Sequence, residues 1–460
     1  MRRKYYQTRR IGIIGLGYVG QTLAAFLADG NIVTCYDIDK SRMQKIKESK
    51  KGDIKEKDLN LYIHRAMDKN KLYFADSLLE MLDKSLEFLF VTVGTPSYDD
   101  GSIDLTAVNS VAMSIGIELS KIKISEYMCP LTIVLKSTVI PGTTREFISI
   151  IEKYSKRKEG KDFYVVYNPE FLREGSAIND LEYPQKIVLG GSRKSLKEIK
   201  EFYEEYYVDS MGIDGIEEMI ISTTYENAEL VKYANNAFLA TKISFINEIA
   251  NICEKTPNTD VGVIAEALGL DDRISPKFLR AGLGYGGSCF SKDVEALIKY
   301  SKEDALVLKS VFRKNKYQRE KPLTITDAWL GKDKTVAILG VAFKPETDDI
   351  RDAPAIYLID VILKGGATVR VYDPEVSAEV LISKFDGNLI VTASAKHALK
   401  GADYAIICTE WDEFKKLDPN DFKLLMNKPV LFDGRRIFDP KTFIKAGVTY
   451  YGIGHGKHDA

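Results

Sequence analysis

Short apolar runs alternate with stretches of helical period at both ends of the chain. Residues 11–14, Ile-Gly-Ile-Ile, predict a strand, followed by a glycine turn and a helix over 21–29. A second strand over 32–36 ends at Asp37, and apolar runs at 88–93, 131–135 and 164–167 repeat the pattern. Strands this continuously apolar are buried on both faces, which predicts a doubly wound α/β sheet over roughly the first 210 residues. From 224 to 254 the period changes. Ala228, Val231, Ala234, Phe238, Phe245, Ile249 and Ile252 recur mostly at three- and four-residue steps with no Gly or Pro between them, predicting one long helix. At 1.5 Å per residue it would span about 45 Å, enough to bridge two domains and pair with another subunit. Helical and loop segments follow to about residue 333. A second α/β unit then begins, with strands over 335–340, 368–373 and 404–408 and a helix over 354–364. Both ends share a layout, strand, loop, helix, then a strand ending in Asp, without sequence repetition.

Composition narrows the function classes. At 460 residues the chain exceeds what one core supports, so two or three domains are expected. Lys and Arg number 65 against 66 Asp and Glu, a net charge of -1, so no global field draws nucleic acid or a membrane surface. The basic start, Met1-Arg2-Arg3-Lys4-Tyr5-Tyr6, leads into a strand rather than an apolar signal core. No apolar run approaches the roughly 20 residues of a membrane span, so a soluble, cytoplasmic protein is expected. The five cysteines, Cys35, Cys129, Cys253, Cys289 and Cys408, are scattered and lack metal-ligand spacing, which fits a reducing compartment. With four His in all, no metal site is expected.

Two stretches carry chemistry. Gly15-Leu16-Gly17-Tyr18-Val19-Gly20 follows a strand and opens a helix, the context a dinucleotide fingerprint requires. Gly15 permits the tight turn, Gly17 lets the backbone approach a diphosphate, Gly20 allows close packing, and the helix N-terminus attracts negative charge. Asp37 stands where a carboxylate accepts the adenosine ribose and repels a 2'-phosphate, so NAD is favoured. Arg42 suits either a 2'-phosphate or the adenine. The bland alternative has the glycines only tightening a turn and Asp37 capping the next helix. The second stretch, 282–293, brings four glycines to Ser288-Cys289 and then a helical run. A thiol near a helix N-terminus and close to Lys292 is expected to have a lowered pKa and nucleophilic character. Cys35 and Cys408 fall in strand cores, Cys253 ends the long helix, and Cys129 has no neighbours that suggest chemistry.

Taken in order, GLGYVG, VGTPSYDDGSIDL, KSTVIPGTT, NPEFLREGSAIND, ELVKYANNAFLA, GGSCFSKD and AFKPETDDIR resemble the UDP-glucose/GDP-mannose dehydrogenase family over nearly the whole chain. The resemblance implies an NAD-binding Rossmann-like domain over 1–212, a central helical dimerisation region over 213–330 and a nucleotide-sugar-binding Rossmann-like domain over 331–460. It implies a homodimer or larger homo-oligomer, and two hydride transfers to two NAD per sugar. The sugar alcohol becomes an aldehyde that Cys289 traps as a thiohemiacetal, and a thioester on Cys289 is then hydrolysed to the uronate.

Roles carried over by resemblance are these. Lys232 and Asn236, four apart on one helix face, hold the oxygen whose charge grows during addition and collapse. Asp293 positions water or acts as base, Glu174 is the base for thioester hydrolysis, and Thr138 meets both nicotinamide and catalytic water. Besides the glycine loop with Tyr18 and Val19, cofactor contacts fall on Asp37, Arg42, Thr95, Thr138, Glu174, Lys292 and Arg351. The substrate loop supplies Glu170, Phe171, Leu172, Arg173 and Glu174. Phe278, Arg280, Tyr285, Gly286, Gly287, Lys344 and Arg435 surround the sugar nucleotide, and Arg273 matches an arginine contributed by the neighbouring subunit. Arg435 is chosen over the adjacent Arg436. Two positions depart from the family pattern: Gln21-Thr22 replaces Leu-Pro, altering the helix start, and Ser291 replaces Pro, loosening the loop after Cys289.

Ser288 and the Phe171–Glu174 loop favour UDP-glucose, since relatives acting on UDP-N-acetylhexosamines carry His before the cysteine. GDP-mannose enzymes often show Leu where Phe290 stands. A single-step hydroxyacid dehydrogenase would share the glycine loop without the thiol, and a non-enzymatic nucleotide-sugar sensor would have lost Cys289, Lys232 or Asp293.

Overall fold

The computed structural model describes residues 6–83, 85–123, 130–325 and 331–456. Cys129 and most of the basic N-terminal segment lie outside the described residues. The chain forms two compact units, residues 1–234 and 235–460, divided within the long helix Tyr225–Cys253. That helix matches the predicted span to within one residue at each end.

The first unit is built on an eight-stranded sheet: β1 (Arg10–Ile14), β2 (Ile32–Tyr36), β3 (Leu72–Phe74), β4 (Phe88–Val91), β5 (Leu131–Leu135), β6 (Phe163–Tyr167), β7 (Ile187–Gly191) and β8 (Ile220–Thr223). Their order is β3-β2-β1-β4-β5-β6-β7-β8, parallel except between β6 and β7. Alternation along β4 explains the continuous apolar runs. Phe88 and Phe90 join a core on one face with Leu23, Ile63 and Phe202, while Leu89 and Val91 join a core on the other with Val108, Ala112 and Phe147. Helices therefore cover both faces, as a doubly wound sheet requires. The sheet runs past residue 210 because β8 is an edge strand with Ile221 and Ser222 exposed, and it carries no apolar run to read.

In the second unit β9 (Thr335–Leu339), β10 (Thr368–Tyr372), β11 (Ile390–Val391), β12 (Tyr404–Ile407), β13 (Val430–Asp433) and β14 (Thr449–Gly452) form an all-parallel sheet. Its order, β11-β10-β9-β12-β13-β14, is that of the first six strands of the first sheet. Ile338 and Leu339 pack with Leu358, Ile359 and Ile362 of the helix Pro354–Lys364 in its core. Strand order reverses between β1 and β4, and between β9 and β12, the places where such sheets open a crevice for ligand. Among the described residues no helix is long and apolar enough to cross a membrane.

Candidate active site

At the first reversal point β1 runs into the glycine loop. Gly15 has φ +92°, a left-handed conformation, and its carbonyl accepts a hydrogen bond from Thr92 Oγ1 at 2.7 Å. A Cβ on Gly20 would lie 1.8 Å from the Gly15 carbonyl oxygen, whereas one on Gly17 would meet nothing within 4 Å. The third glycine thus lets helix and loop pack, and the second leaves open the space a diphosphate needs. The helix starts at Tyr18, three residues earlier than its apolar pattern suggests, because Gly17 already serves as N-cap. Tyr18 and Val19 form its first turn, where backbone N–H groups are unpaired within the helix.

Asp37 follows β2 and is buried. Its Oδ2 accepts the Leu16 N–H at 2.6 Å and its Oδ1 the Asp39 N–H at 2.8 Å, so the carboxylate braces the glycine loop. Capping of the next helix, Lys40–Ser49, falls to Asp39 instead, which accepts the Arg42 N–H at 3.0 Å. Arg42 donates from Nε to Asp53 at 2.9 Å, with Nη1 3.9 Å from Asp37. Gln21 lies inside the helix and donates back to the Leu16 carbonyl at 2.7 Å and to Asp53. Thr95 Oγ1 donates to the Thr138 carbonyl at 2.8 Å, tying together the segments that leave β4 and β5.

The loop after β6 is held at several points. Glu170 accepts the Leu172 N–H at 2.6 Å and the Lys232 ammonium at 2.7 Å. Burial alone would raise the Glu170 pKa, but Lys232, the Leu172 N–H and Lys136 outweigh it and hold the carboxyl below its usual range. Lys136 is itself buried, donating to Asn168 Oδ1 at 2.9 Å, and burial brings its amine down to about 8. Phe171 presents its ring to two ammonium groups, Lys186 at 4.3 Å and Lys232 at 5.5 Å. Arg173 turns outward to Asp180. Glu56, a buried carboxylate from a distant segment, accepts the Tyr18 hydroxyl, the Gly175 N–H at 2.7 Å and the Ala177 N–H at 2.9 Å. It fastens the loop carrying Glu174 to the first residue of the glycine-loop helix. Burial, Glu56 and Glu174 together raise the Tyr18 pKa.

In the second unit Cys289 is exposed and is the N-cap residue of the helix Phe290–Ser301, its Sγ 3.7 Å from Ser288 Oγ. Asp293, one turn on, is 1% exposed; it accepts Asn236 Nδ2 at 2.6 Å and the Lys292 ammonium at 2.7 Å. Lys292 is thus ion-paired with its neighbour Asp293. The glycine segment before Cys289 is carried by side-chain amides. Asn247 accepts the Gly282 N–H and Gln318 donates to the Gly282 carbonyl, both at 2.9 Å; Asn315 accepts the Tyr285 N–H at 2.8 Å and donates to its carbonyl at 3.0 Å. A Cβ on Gly286 would lie 2.6 Å from the Asp352 carbonyl, and the Gly287 N–H donates to the Arg351 carbonyl at 2.9 Å. Ser291 lies in the first turn of the helix that begins at Phe290 rather than in a loop. Ser291 donates to Asp352, which Arg319 grips with contacts of 2.7 and 3.2 Å.

The adjacent arginines separate cleanly. Arg436 (φ +55°) pairs with Asp260 at 2.6 Å, and Asp260 also meets His455 at 2.7 Å. Arg435 instead donates to the carbonyls of Cys408 at 2.6 Å, Phe343 at 3.2 Å and Gly284 at 3.4 Å, next to Lys344 and the glycine segment. Phe278 (φ +65°) stacks edge-on to Phe290 at 6.2 Å. Arg280 lines a pocket of about 280 Å³ with Glu266, Pro276 and Arg436. Arg273 is 87% exposed and paired with Asp271, and Arg351 is paired with Asp349 at 2.8 Å. Lys136 opens the KSTVIPGTT stretch but is given no role there, and Glu56, Asn247, Asn315, Gln318, Arg319 and Asp352 carry no local sequence signal, since each acts on a backbone or charge far away in the chain.

Three models of one family match in order: its NAD binding domain over residues 9–207, central domain over 226–317 and UDP binding domain over 337–440. A UDP-glucose 6-dehydrogenase of Bacillus subtilis is 38% identical over 97% of this chain and 93% of its own. One of Pseudomonas aeruginosa is 36% identical over 97% of both. Among solved structures, a UDP-glucose dehydrogenase from Pyrobaculum islandicum superposes with TM-score 0.86 at 31% identity, covering 98% of each chain. A UDP-D-ManNAc dehydrogenase from Pyrococcus horikoshii gives 0.82 at 26%, covering 97% of this chain and 99% of its own. With a fingerprint that suits NAD and matches at this length, the chain belongs to the UDP-glucose/GDP-mannose dehydrogenase family and is an NAD-dependent nucleotide-sugar dehydrogenase.

Proposed function

We propose that the chain oxidises UDP-glucose to UDP-glucuronate by four electrons, using two NAD per sugar and Cys289 as covalent nucleophile. The observation that carries this is the likeness, at 36–38% identity over nearly the whole chain, to relatives named UDP-glucose 6-dehydrogenase. NAD, when bound, accepts a hydride in each of two steps. The first oxidation converts the primary alcohol to an aldehyde. Cys289 sulfur adds to the aldehyde carbon, and the oxygen that gains charge is held by Lys232 and Asn236. The second oxidation leaves a thioester. Water, deprotonated by Glu174 and positioned with Asp293 and Thr138, attacks its carbon, and the thiolate leaves.

Glu170, Phe171, Leu172 and Arg173 form the wall along which the sugar lies. Lys344 and Arg435, with Phe278, Arg280 and the 285–287 backbone, take the nucleotide. Both arginines are ion-paired, Arg436 with Asp260 and Arg435 with Glu410 at 3.4 Å, and it is the direction of the Arg435 side chain toward Phe343 and Gly284 that supports choosing Arg435. Tyr18, Val19, Asp37, Arg42, Thr95, Lys292 and Arg351 serve the cofactor. The division at 1–212, 213–330 and 331–460 goes with this reading, as does a homodimer. Phe238, Phe245 and Ile252 support the dimer, being 65%, 51% and 55% exposed at seven-residue steps on the long helix. Arg273 then reaches the neighbouring subunit's substrate. The setting is the cytoplasm, and the uronate feeds polysaccharide synthesis.

The test offers UDP-glucose, UDP-N-acetylglucosamine, UDP-N-acetylmannosamine and GDP-mannose with NAD and counts NADH. Two NADH per UDP-glucose with the highest kcat/KM is expected. One NADH per sugar, or preference for an N-acetylhexosamine, overturns the reading.

A further inference from the structure

Arg42 poses a question about cofactor choice. An arginine just past the end of the second strand is the residue type that accommodates a 2'-phosphate in NADP-using relatives of this fold. Here its guanidinium lies between two carboxylates, with Nε 2.9 Å from Asp53 Oδ2 and Nη1 3.9 Å from Asp37 Oδ2. The Asp53 side chain is 16% exposed, so its charge is only partly screened by water. Asp53 is fixed in turn by Gln21, whose Oε1 accepts the Asp53 N–H at 3.0 Å while its Nε2 donates to Asp53 Oδ1. The same Nε2 donates to the Leu16 carbonyl, and the Leu16 N–H donates to Asp37. Glycine loop, ribose-end carboxylate, arginine and Asp53 are thus one hydrogen-bonded network, closed by the Gln21 side chain.

We propose that Asp53 is a second determinant of cofactor choice: it holds Arg42 back from a 2'-phosphate and adds negative charge beside Asp37, selecting NAD over NADP. The inference rests on the reading that Asp37 faces the adenosine ribose. Asp37, Asp39 and Asp53 all act on the Arg42 guanidinium, so these four groups sum to -2, which a dianionic 2'-phosphate would meet as repulsion. Neutralising Asp53 takes one negative charge from that sum and releases the arginine to a new partner. One unit charge at this range and partial exposure is worth about tenfold in relative affinity.

The measurement is the ratio of kcat/KM for NADP to that for NAD, with saturating UDP-glucose, in the full-length enzyme. Being a ratio within each preparation, it is insensitive to the fraction folded. Asp53→Asn is expected to raise the ratio about tenfold, and adding Arg42→Ala should remove the gain. Gln21→Leu, which alters the loop's hydrogen bonds but no charge, should leave the ratio within about twofold. Asp53→Ser substitutes if Asp53→Asn does not yield soluble protein. A shift below threefold for Asp53→Asn, or an equal shift for Gln21→Leu, overturns the proposal. Asp37→Asn separates the two levels. If it shifts the ratio and Asp53→Asn does not, the ribose placement stands and the role of Asp53 falls. If neither shifts it, the ribose placement itself has failed.

Discussion

The Lys232 ammonium lies 2.7 Å from a Glu170 carboxylate oxygen, and the two side chains are 4% and 12% exposed. A pair this shielded is costly to break, because the remaining charge loses both water and its partner. Glu170 is held below its usual pKa, so its contribution to stability is present above its unfolded value and is lost as pH falls through the folded one. In Lys232→Met, burial acts with only Lys136 and the Leu172 N–H left to oppose it, and the Glu170 pKa should rise. Urea unfolding should show a deficit of about 3 kcal/mol at neutral pH that shrinks toward pH 4. A deficit that does not change with pH would separate Lys232 from Glu170.

Lys136 titrates in the opposite sense. Its folded pKa is pushed down to about 8, so between there and its ordinary value the unfolded chain binds more protons and stability rises with pH. Lys136→Met removes that slope. It should be more stable than the parent by up to about 3 kcal/mol near pH 7, the advantage fading as pH climbs past 8. Parallel urea curves at pH 7 and pH 9.5 check this, and an advantage that grows with pH contradicts it.

Glu56 joins Tyr18 to the Gly175 and Ala177 amides, and so sets where Glu174 stands. Glu56→Ala should lower kcat about tenfold and speed hydrogen exchange at Gly175 and Ala177, costing about 2 kcal/mol of local protection. Tyr18→Phe leaves both amides bonded, so their exchange should stay slow. Fast exchange in Tyr18→Phe and slow exchange in Glu56→Ala would reverse the assignment.

Arg319 is 13% exposed and paired with Asp352, which also receives Ser291. Asp352→Ala strands a shielded cation and should cost about 3 kcal/mol, whereas Ser291→Ala removes one hydrogen bond and should cost about 1 kcal/mol. The double variant should cost less than the sum, since both changes act on one carboxylate. Thermal melts of the four proteins decide, and strict additivity would show that the two contacts are independent.

Much of this could be read from the chain. The Gly15–Gly20 loop, Asp37 and the apolar strands are local signals, and the structure places the loop and Asp37 at the strand-order reversal. Cys289 at a helix start was legible because four glycines precede it. The supports were not. Glu56 acts on amides more than a hundred residues away, and Asn247, Asn315 and Gln318 have the polar character of a solvated helix face until Gly282 and Tyr285 are brought against them. The early start of the Tyr18 helix escaped the apolar pattern because its first turn is anchored by backbone geometry rather than burial. The bond from Ser291 to Asp352 was not legible either, because Asp352 comes from another part of the chain.

The covalent role of Cys289 is tested most directly by steady-state NADH production in Cys289→Ser, with UDP-glucose affinity measured separately by calorimetry. Binding within about twofold of the parent and turnover reduced by about a thousandfold or more are expected, since a serine hydroxyl is a poor nucleophile at neutral pH and the second half of the reaction stalls. Near-parental turnover in that variant would contradict a thioester at Cys289.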